Sequence, residues 1–199
     1  LGQPIIQEPK PGANSTIAAR YVASSPGDGY TLFFGAATSP HPIFNKNNAI
    51  DLSREMASVS QVVTSPLILA SKASLPANTV SELTAYAKSQ GRQLRYGTQS
   101  PVVNLIMEML KQRTGLVAEP IPYKGSPQIM TALLAEEIDL SSVGAQSYVS
   151  QIEAGRVRAL FVMSAKRYSL LPSAPTSKEF GVSDLELAIN WGLWAPSGT

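Results

Sequence analysis

Cysteine is missing from this 199-residue chain, and histidine occurs once. Without cysteine there can be no disulfide, no thiolate metal ligand and no Cys nucleophile. One histidine, His41, supplies neither a Ser–His dyad nor a two-histidine metal site. It lies between Pro40 and Pro42, in what reads as a rigid turn, so a structural role is expected for it. No catalytic residue, no metal site and no cofactor are expected. Charge is scarce as well: only 15% of residues are charged, the net charge is +2, and no basic run is present. That balance speaks against a nucleic-acid groove. No apolar run approaches the ~18–20 residues that cross a bilayer, so direct membrane insertion is not expected. No leader is visible, and Leu1-Gly2-Gln3-Pro4 reads like the interior of a larger protein. There is no Walker A loop and no dinucleotide glycine fingerprint.

What the chain does have is a globular hydrophobic content, 44%, and a repeated local pattern. Four times a β-prone run ends in small polar residues and a helix is expected to follow. The four turns are Gly35-Ala36-Ala37-Thr38-Ser39, Gly97-Thr98-Gln99-Ser100, Lys124-Gly125-Ser126 and Gly144-Ala145-Gln146-Ser147. Helix N-termini carry unpaired N–H groups and partial positive charge, which suit a carboxylate or phosphate. In open α/β sheets the ligand crevice lies at the carboxyl ends of the strands, where such turns sit. The same residues also serve ordinary turn geometry and capping.

Hydrophobic periodicity orders the rest. A helix capped by Asn14 or Ser15 is expected to run to about 23, followed by the turn Ser25-Pro26-Gly27-Asp28-Gly29 and a buried parallel strand over 30–34. Residues 39–56, with the Asn45-Lys46-Asn47-Asn48 cluster, read as loop with room for a short helix. Two β-prone runs, 59–63 and 67–70, meet at Ser65-Pro66, where Pro66 predicts a break or edge and a domain crossover. From 75 to 164 helices and strands alternate. Helices are expected over 78–89, 102–112, 126–135 and 147–154, and strands over 94–97, 117–121, 138–143 and 159–163. The alternation predicts right-handed βαβ units on a mainly parallel sheet. Pro172 and Pro175 rule out a long helix before about Thr176, and the apolar run 185–194 reads as a second crossover strand.

Few groups here suit acid–base or nucleophilic work. Glu136, Glu137 and Asp139 lie at the start of a strand, away from its carboxyl end, which disfavours paired-carboxylate catalysis. Lys124 is either a counter-charge for an anion or a solvated turn lysine. Tyr96 and Tyr123 either wall a pocket or pack. Trp191 and Trp194, three apart on a strand, should face opposite sides. Binding fits this inventory better than turnover.

Several segments, taken in order, make the chain resemble the tripartite tricarboxylate transporter receptor family, the TctC or Bug-type solute-binding proteins. They are Glu8-Pro9-Lys10-Pro11-Gly12-Ala13-Asn14, Pro26-Gly27-Asp28-Gly29-Tyr30-Thr31-Leu32, Leu94-Arg95-Tyr96-Gly97 and Pro122-Tyr123-Lys124-Gly125. Further along come Ala154-Gly155-Arg156-Val157-Arg158-Ala159-Leu160, Ser164-Ala165-Lys166-Arg167, Leu171-Pro172-Ser173-Ala174-Pro175-Thr176 and Gly192-Leu193-Trp194-Ala195-Pro196-Ser197-Gly198-Thr199. The resemblance implies an α/β, type II periplasmic-binding-protein-like fold, with two lobes of mainly parallel sheet joined by crossover strands. It implies a periplasmic location and no enzyme activity. The ligand would be a small carboxylate: a di- or tricarboxylate, an acidic amino acid or an aromatic acid. It would be captured by hinge closure and passed to membrane transporter subunits.

On this reading residues 1–63 form part of lobe one, 64–188 form lobe two, and 189–199 return to lobe one. The expected ligand contacts are Thr38 and Ser39 from lobe one, with Thr98, Gln99, Ser100, Lys124, Gly125, Gly144 and Ala145 from lobe two. Each would offer a backbone N–H or a hydroxyl. The family also begins about one strand and one helix earlier and continues past Thr199, so the chain reads as a fragment. Its turn after Gly97 is shorter than the family's usual Gly/Ser-rich loop, and the acidic residue often found near Val143 is missing. A ligand-sensing domain of a regulator, and a small α/β enzyme acting on an anionic substrate, are the alternative readings.

Overall fold

The computed structural model describes residues 2–36, 38–43, 49–182 and 184–199. Ala37 of the first turn and the Asn45-Lys46-Asn47-Asn48 cluster lie outside the described residues. The chain divides into two compact units, residues 1–64 with 190–199 and residues 65–189.

The first unit carries α1 (Thr16–Ala23), β1 (Phe33–Ala36), α2 (Leu52–Glu55), the first half of β2 (Met56–Lys72) and most of β7 (Ala188–Pro196). Ser15 stands at the N-cap of α1 but makes no side-chain capping bond. Ala13, Asn14 and Ser15 instead hold positive φ (45°, 50° and 69°), a bend that brings the chain into the helix. β1 begins three residues later than the sequence suggests, and its register with β7 is antiparallel. The cause is local. Asp28 Oδ1 accepts from the Tyr30 N–H at 3.0 Å, which prolongs the Pro26–Gly29 turn and leaves Tyr30 92% exposed. Asp51 caps α2 by accepting from the Ser53 N–H. A small core gathers Ala19, Val22, Phe33, Ile50, Leu52 and Met56, with Trp194 packed against it. Trp191, on the other face of β7, stacks on Phe34 at 5.8 Å.

Pro66 does not break β2, which runs unbroken from Met56 to Lys72. The ladder between β2 and β5 begins only at Leu67, so the missing proline N–H costs no bond in that ladder.

The second unit alternates helix and strand: α3 (Val80–Ser89), β3 (Leu94–Thr98), α4 (Pro101–Thr114), β4 (Ala118–Pro122), α5 (Ser126–Leu134), β5 (Leu140–Gly144), α6 (Val149–Glu153), β6 (Val157–Val162) and α7 (Ser177–Phe180). β3 lies parallel to both β4 and β5, while β2 runs antiparallel to β5 and β6. β3 to β6 therefore share one direction, giving a mostly parallel open sheet in a mixed α/β fold. Helix starts follow the capping rules: Thr79 caps α3, Ser100 caps α4, and Thr176 with Glu179 forms a reciprocal capping box on α7. Gly115, at φ 70°, ends α4 in the left-handed conformation.

Both faces of this sheet are filled. One face packs Leu67, Leu69, Tyr96 and Leu140 with Leu83 of α3 and Val103, Ile106 and Met107 of α4. The other packs Ile68, Ala70 and Val143 with Ile129 and Leu133 of α5 and with Tyr148. A Cβ at position 97 would come within 2.7 Å of Ile129, so Gly97 is dictated by the close approach of α5. The expected helix over 147–154 is in fact a 3-10 turn, Ala145–Tyr148, that leads directly into α6.

Candidate functional site

Parallel pairing sets β3 and β4 level, with Thr98 opposite Pro122, and places Gly97 opposite Ser141 on β5. The segments that follow these strands therefore emerge along one edge of the second unit. Three of the four small-residue turns lie there. Two of them are joined by hydrogen bonds rather than merely adjacent. The Tyr123 N–H donates to the Thr98 carbonyl at 2.8 Å. Gln99 Nε2 donates to Ser126 Oγ at 2.8 Å, and Ser126 Oγ donates back to Gln99 Oε1 at 3.1 Å. This reciprocal pair clasps the start of α4 to the start of α5.

Each contact expected from the second unit can be located on that edge. Thr98 is buried at the end of β3, and its hydroxyl donates to the Ser100 carbonyl at 3.2 Å. Ser100 Oγ accepts from the Val103 N–H at 3.4 Å, a long capping bond. Gln99 is half-buried and occupied in the clasp. Gly125 begins α5 without a side-chain cap, so no N-cap side chain covers the first-turn N–H groups of that helix. The Lys124 N–H is taken by Gln128 Oε1 at 3.0 Å, and the residue is exposed. Gly144 ends β5 opposite Leu67. Ala145 is fully buried with its methyl group in the core, so only its backbone is left to make a contact. The turn expected around Gly144-Ala145-Gln146-Ser147 is thus already helical in its second residue, because the Ala145 and Tyr148 side chains both seat in the core.

Thr38 and Ser39 belong to the first unit. No helix follows them directly among the described residues. The Ser39 N–H closes a turn on the Ala36 carbonyl at 3.2 Å, and the His41 N–H closes the next on Thr38 at 3.4 Å. His41 Nδ1 accepts from the Ile43 N–H at 3.2 Å, and Nε2 lies 3.9 Å from Asp51. The histidine braces its own loop. Of the two tyrosines, Tyr96 is core and Tyr123 packs against the second face of the sheet.

The edge carries little formal charge. The strong electrostatics of the second unit lie near the opposite, amino ends of the strands. There Asp139, fully buried, accepts from Arg92 at 2.7 and 2.9 Å and from the Arg95 N–H at 2.8 Å, with Lys72 Nζ at 3.2 Å. Burial alone would raise its pKa; Arg92, the Arg95 N–H and Lys72 outweigh that and hold it at about 2. Asp139 is a structural staple, in keeping with its place at the wrong end of the sheet for catalysis. Two surface grooves also lie away from the turns, one beside Val80, Lys88 and Arg113, the other beside Gly155, Arg158 and Ser173.

Ser126 is the residue that reading the sequence undervalued. Its only local signal is a hydroxyl at the first position of a helix. Its partner Gln99 lies 27 residues away, a distance that only the parallel register closes.

An edge of this kind, with short hydroxyl-bearing turns and helix N-termini, suits an anion held by hydrogen bonds. Comparison with known proteins bears on which anion. Residues 1–199 match a family described as the tripartite tricarboxylate transporter family receptor. A UPF0065 protein of Bordetella pertussis is 34% identical over the whole chain, which covers 62% of that relative's length. The solved periplasmic binding protein BugD is 32% identical with a TM-score of 0.84, over 96% of this chain and 65% of that one. A Rhodopseudomonas palustris protein solved with adipate, Rpa4515, is 32% identical with a TM-score of 0.85, over 94% of this chain and 64% of that one. The chain thus spans a little under two thirds of the length of these proteins.

Proposed function

Because the chain belongs to the tripartite tricarboxylate transporter receptor family, we propose that it serves a periplasmic solute-binding receptor that captures a small carboxylate for membrane transporter subunits. The observation that carries this reading is the clasped edge of the second unit. Gln99 and Ser126 tie together two helix N-termini, and Thr98, Ser100, Gly125, Gly144 and Ala145 lie along the same edge. Backbone N–H groups at a helix start bind an anion through partial charge and directed hydrogen bonds, without a counter-ion side chain. Such a site discriminates by shape and donor placement, and it releases its ligand more readily than a buried ion pair would. Thr38 and Ser39 are the first unit's proposed contribution, and Lys124 supplies a long-range positive charge. Bending within β2 and β7, the strands common to both units, is the proposed hinge for closure. The adipate in the Rhodopseudomonas palustris relative supports a dicarboxylate as the first ligand to try. Among the described residues no helix is long and apolar enough to cross a membrane.

A thermal-shift screen with adipate, succinate, citrate, glutamate and benzoate tests the reading. A ligand that binds only the native state adds about 2.7 kcal/mol at one hundred times its Kd. At least one carboxylate should raise Tm by several degrees. The absence of any shift across the panel at millimolar ligand would end the proposal.

A further inference from the structure

β5 places two serines side by side in a fully buried strand, and the protein treats them differently. Ser141 faces the α5 side of the sheet, where its Oγ accepts from the Tyr148 hydroxyl at 2.7 Å. Ser142 faces the other side. The alternation along β5 shows this: Leu140 packs with Tyr96, Val103 and Ile106, while Val143 packs with Ile129 and Tyr148. Ser142 is 1% exposed, and its Oγ has no hydrogen-bonding partner among the described residues.

Its position is informative. Tyr96 lies opposite Leu140 and Gly97 opposite Ser141, so one residue further along both parallel strands brings Thr98 beside Ser142. Leu69 flanks it on the other strand. Thr98 in turn donates to the carbonyl of Ser100, the N-cap of α4. The unpaired hydroxyl therefore sits on the sheet face that carries α4, level with that helix's first turn. A buried hydroxyl without a partner is unfavourable, and alanine would fill most of the same space without that cost.

We propose that Ser142 is a specificity-determining contact of the anion site. Its hydroxyl donates its hydrogen bond outside the chain, to an oxygen of the carboxylate seated at the first turn of α4 or to a water held by that carboxylate. This rests on the carboxylate-receptor reading and adds to it a buried contact reached from the side-chain face of β5 rather than from a turn.

Isothermal titration of adipate and succinate into wild type, Ser142→Ala and Ser141→Ala tests it. Ser142→Ala should bind whichever dicarboxylate the wild type takes about tenfold or more weakly, as expected for losing a hydrogen bond to a charged group. Its ligand-free Tm should stay unchanged or rise. Ser141→Ala, which strips Tyr148 of its acceptor, should lower Tm and leave affinity unchanged. Affinity within twofold of wild type in Ser142→Ala overturns the proposal. A crystal structure with the bound dicarboxylate then tells ligand oxygen from water. If the wild type binds neither acid, the same three proteins are titrated with whichever acid of the thermal-shift panel it does bind; if it binds none, the receptor reading fails and the Ser142 contact falls with it.

Discussion

The second unit buries what it has, and the first does not. Among the described residues, eleven of the fifteen exposed large hydrophobics belong to the first unit, including Ile5, Ile6, Phe34, Val59 and Val62. Among the described residues its core is one cluster of six buried residues. The second unit fills both faces of its sheet and staples the amino ends of its strands with Asp139. Apolar area removed from water contributes about 25 cal/mol per Å², so the two units should differ in stability and in rigidity. A firm second unit suits the proposed task. Helix N-termini must hold their spacing to recognise an anion, and the Gln99–Ser126 clasp works only on a scaffold that keeps α4 and α5 in register.

That contrast can be broken or sharpened by experiment. The largest effect is expected at Asp139. Asp139→Asn leaves Arg92 and Lys72 without their carboxylate and should cost about 3 kcal/mol or more in urea unfolding. An effect below ~1 kcal/mol would show that the staple is dispensable. The same group sets an acid limit. Its folded pKa, about 2, lies below the unfolded value. The stability it contributes is therefore present above about pH 4 and is lost as pH falls toward 2. Stability that stayed flat over that window would mean that Asp139 is not paired in solution.

Overpacking comes next. Gly97→Ala drives a Cβ toward Ile129 and Ile138 and should cost about 1–3 kcal/mol by chemical denaturation. A neutral result would show that α5 packs loosely. Tyr148 probes the second face of the sheet from the alkaline side. Burial pushes its hydroxyl up to about 12, against the partial offset of Ser141. A raised folded pKa means stability that is full below about pH 10 and lost as pH climbs toward 12. Tyr148→Phe should remove that alkaline sensitivity at a cost of about 1 kcal/mol at pH 7, read from Tm against pH. The smallest effect belongs to the first unit. Val62→Thr, at a half-exposed strand position, should change stability by less than about 0.5 kcal/mol. Native-state hydrogen exchange should meanwhile show first-unit amides opening at lower free energy than those of β3 and β5. Equal protection in the two units would overturn the comparison.

Much of the second unit was legible before any coordinates. Val103, Ile106, Met107 and Leu110 recur at helical spacing, and Gly115 marks the stop; the Ser100 cap emerges only in the structure. The first unit was harder, because its signals conflict. The β-prone run at 30–34 loses its start to the Asp28 turn, and Pro66 resembles a break only until the ladder is seen to start one residue later. Of the candidate site, the turns are visible in composition, and their contact with a ligand is a proposal. The clasp is not visible there, since Gln99 and Ser126 are strangers in sequence, and neither is the unpaired Ser142 hydroxyl.

By itself the sequence determined what depends on near neighbours. Periodicity set the helices of the second unit, small polar residues set the turns, and the absence of Cys and the lone His removed whole classes of chemistry. The order of its short segments carried the family. Only the tertiary structure decided what depends on register and facing. It decided that Gly97 lies level with Ser141, that Asp139 meets Arg92 across 47 residues, and that one of two adjacent serines is satisfied while the other is not. The physical reason is that a strand's partner and the face it presents are set by what packs against it, and those partners lie tens of residues away.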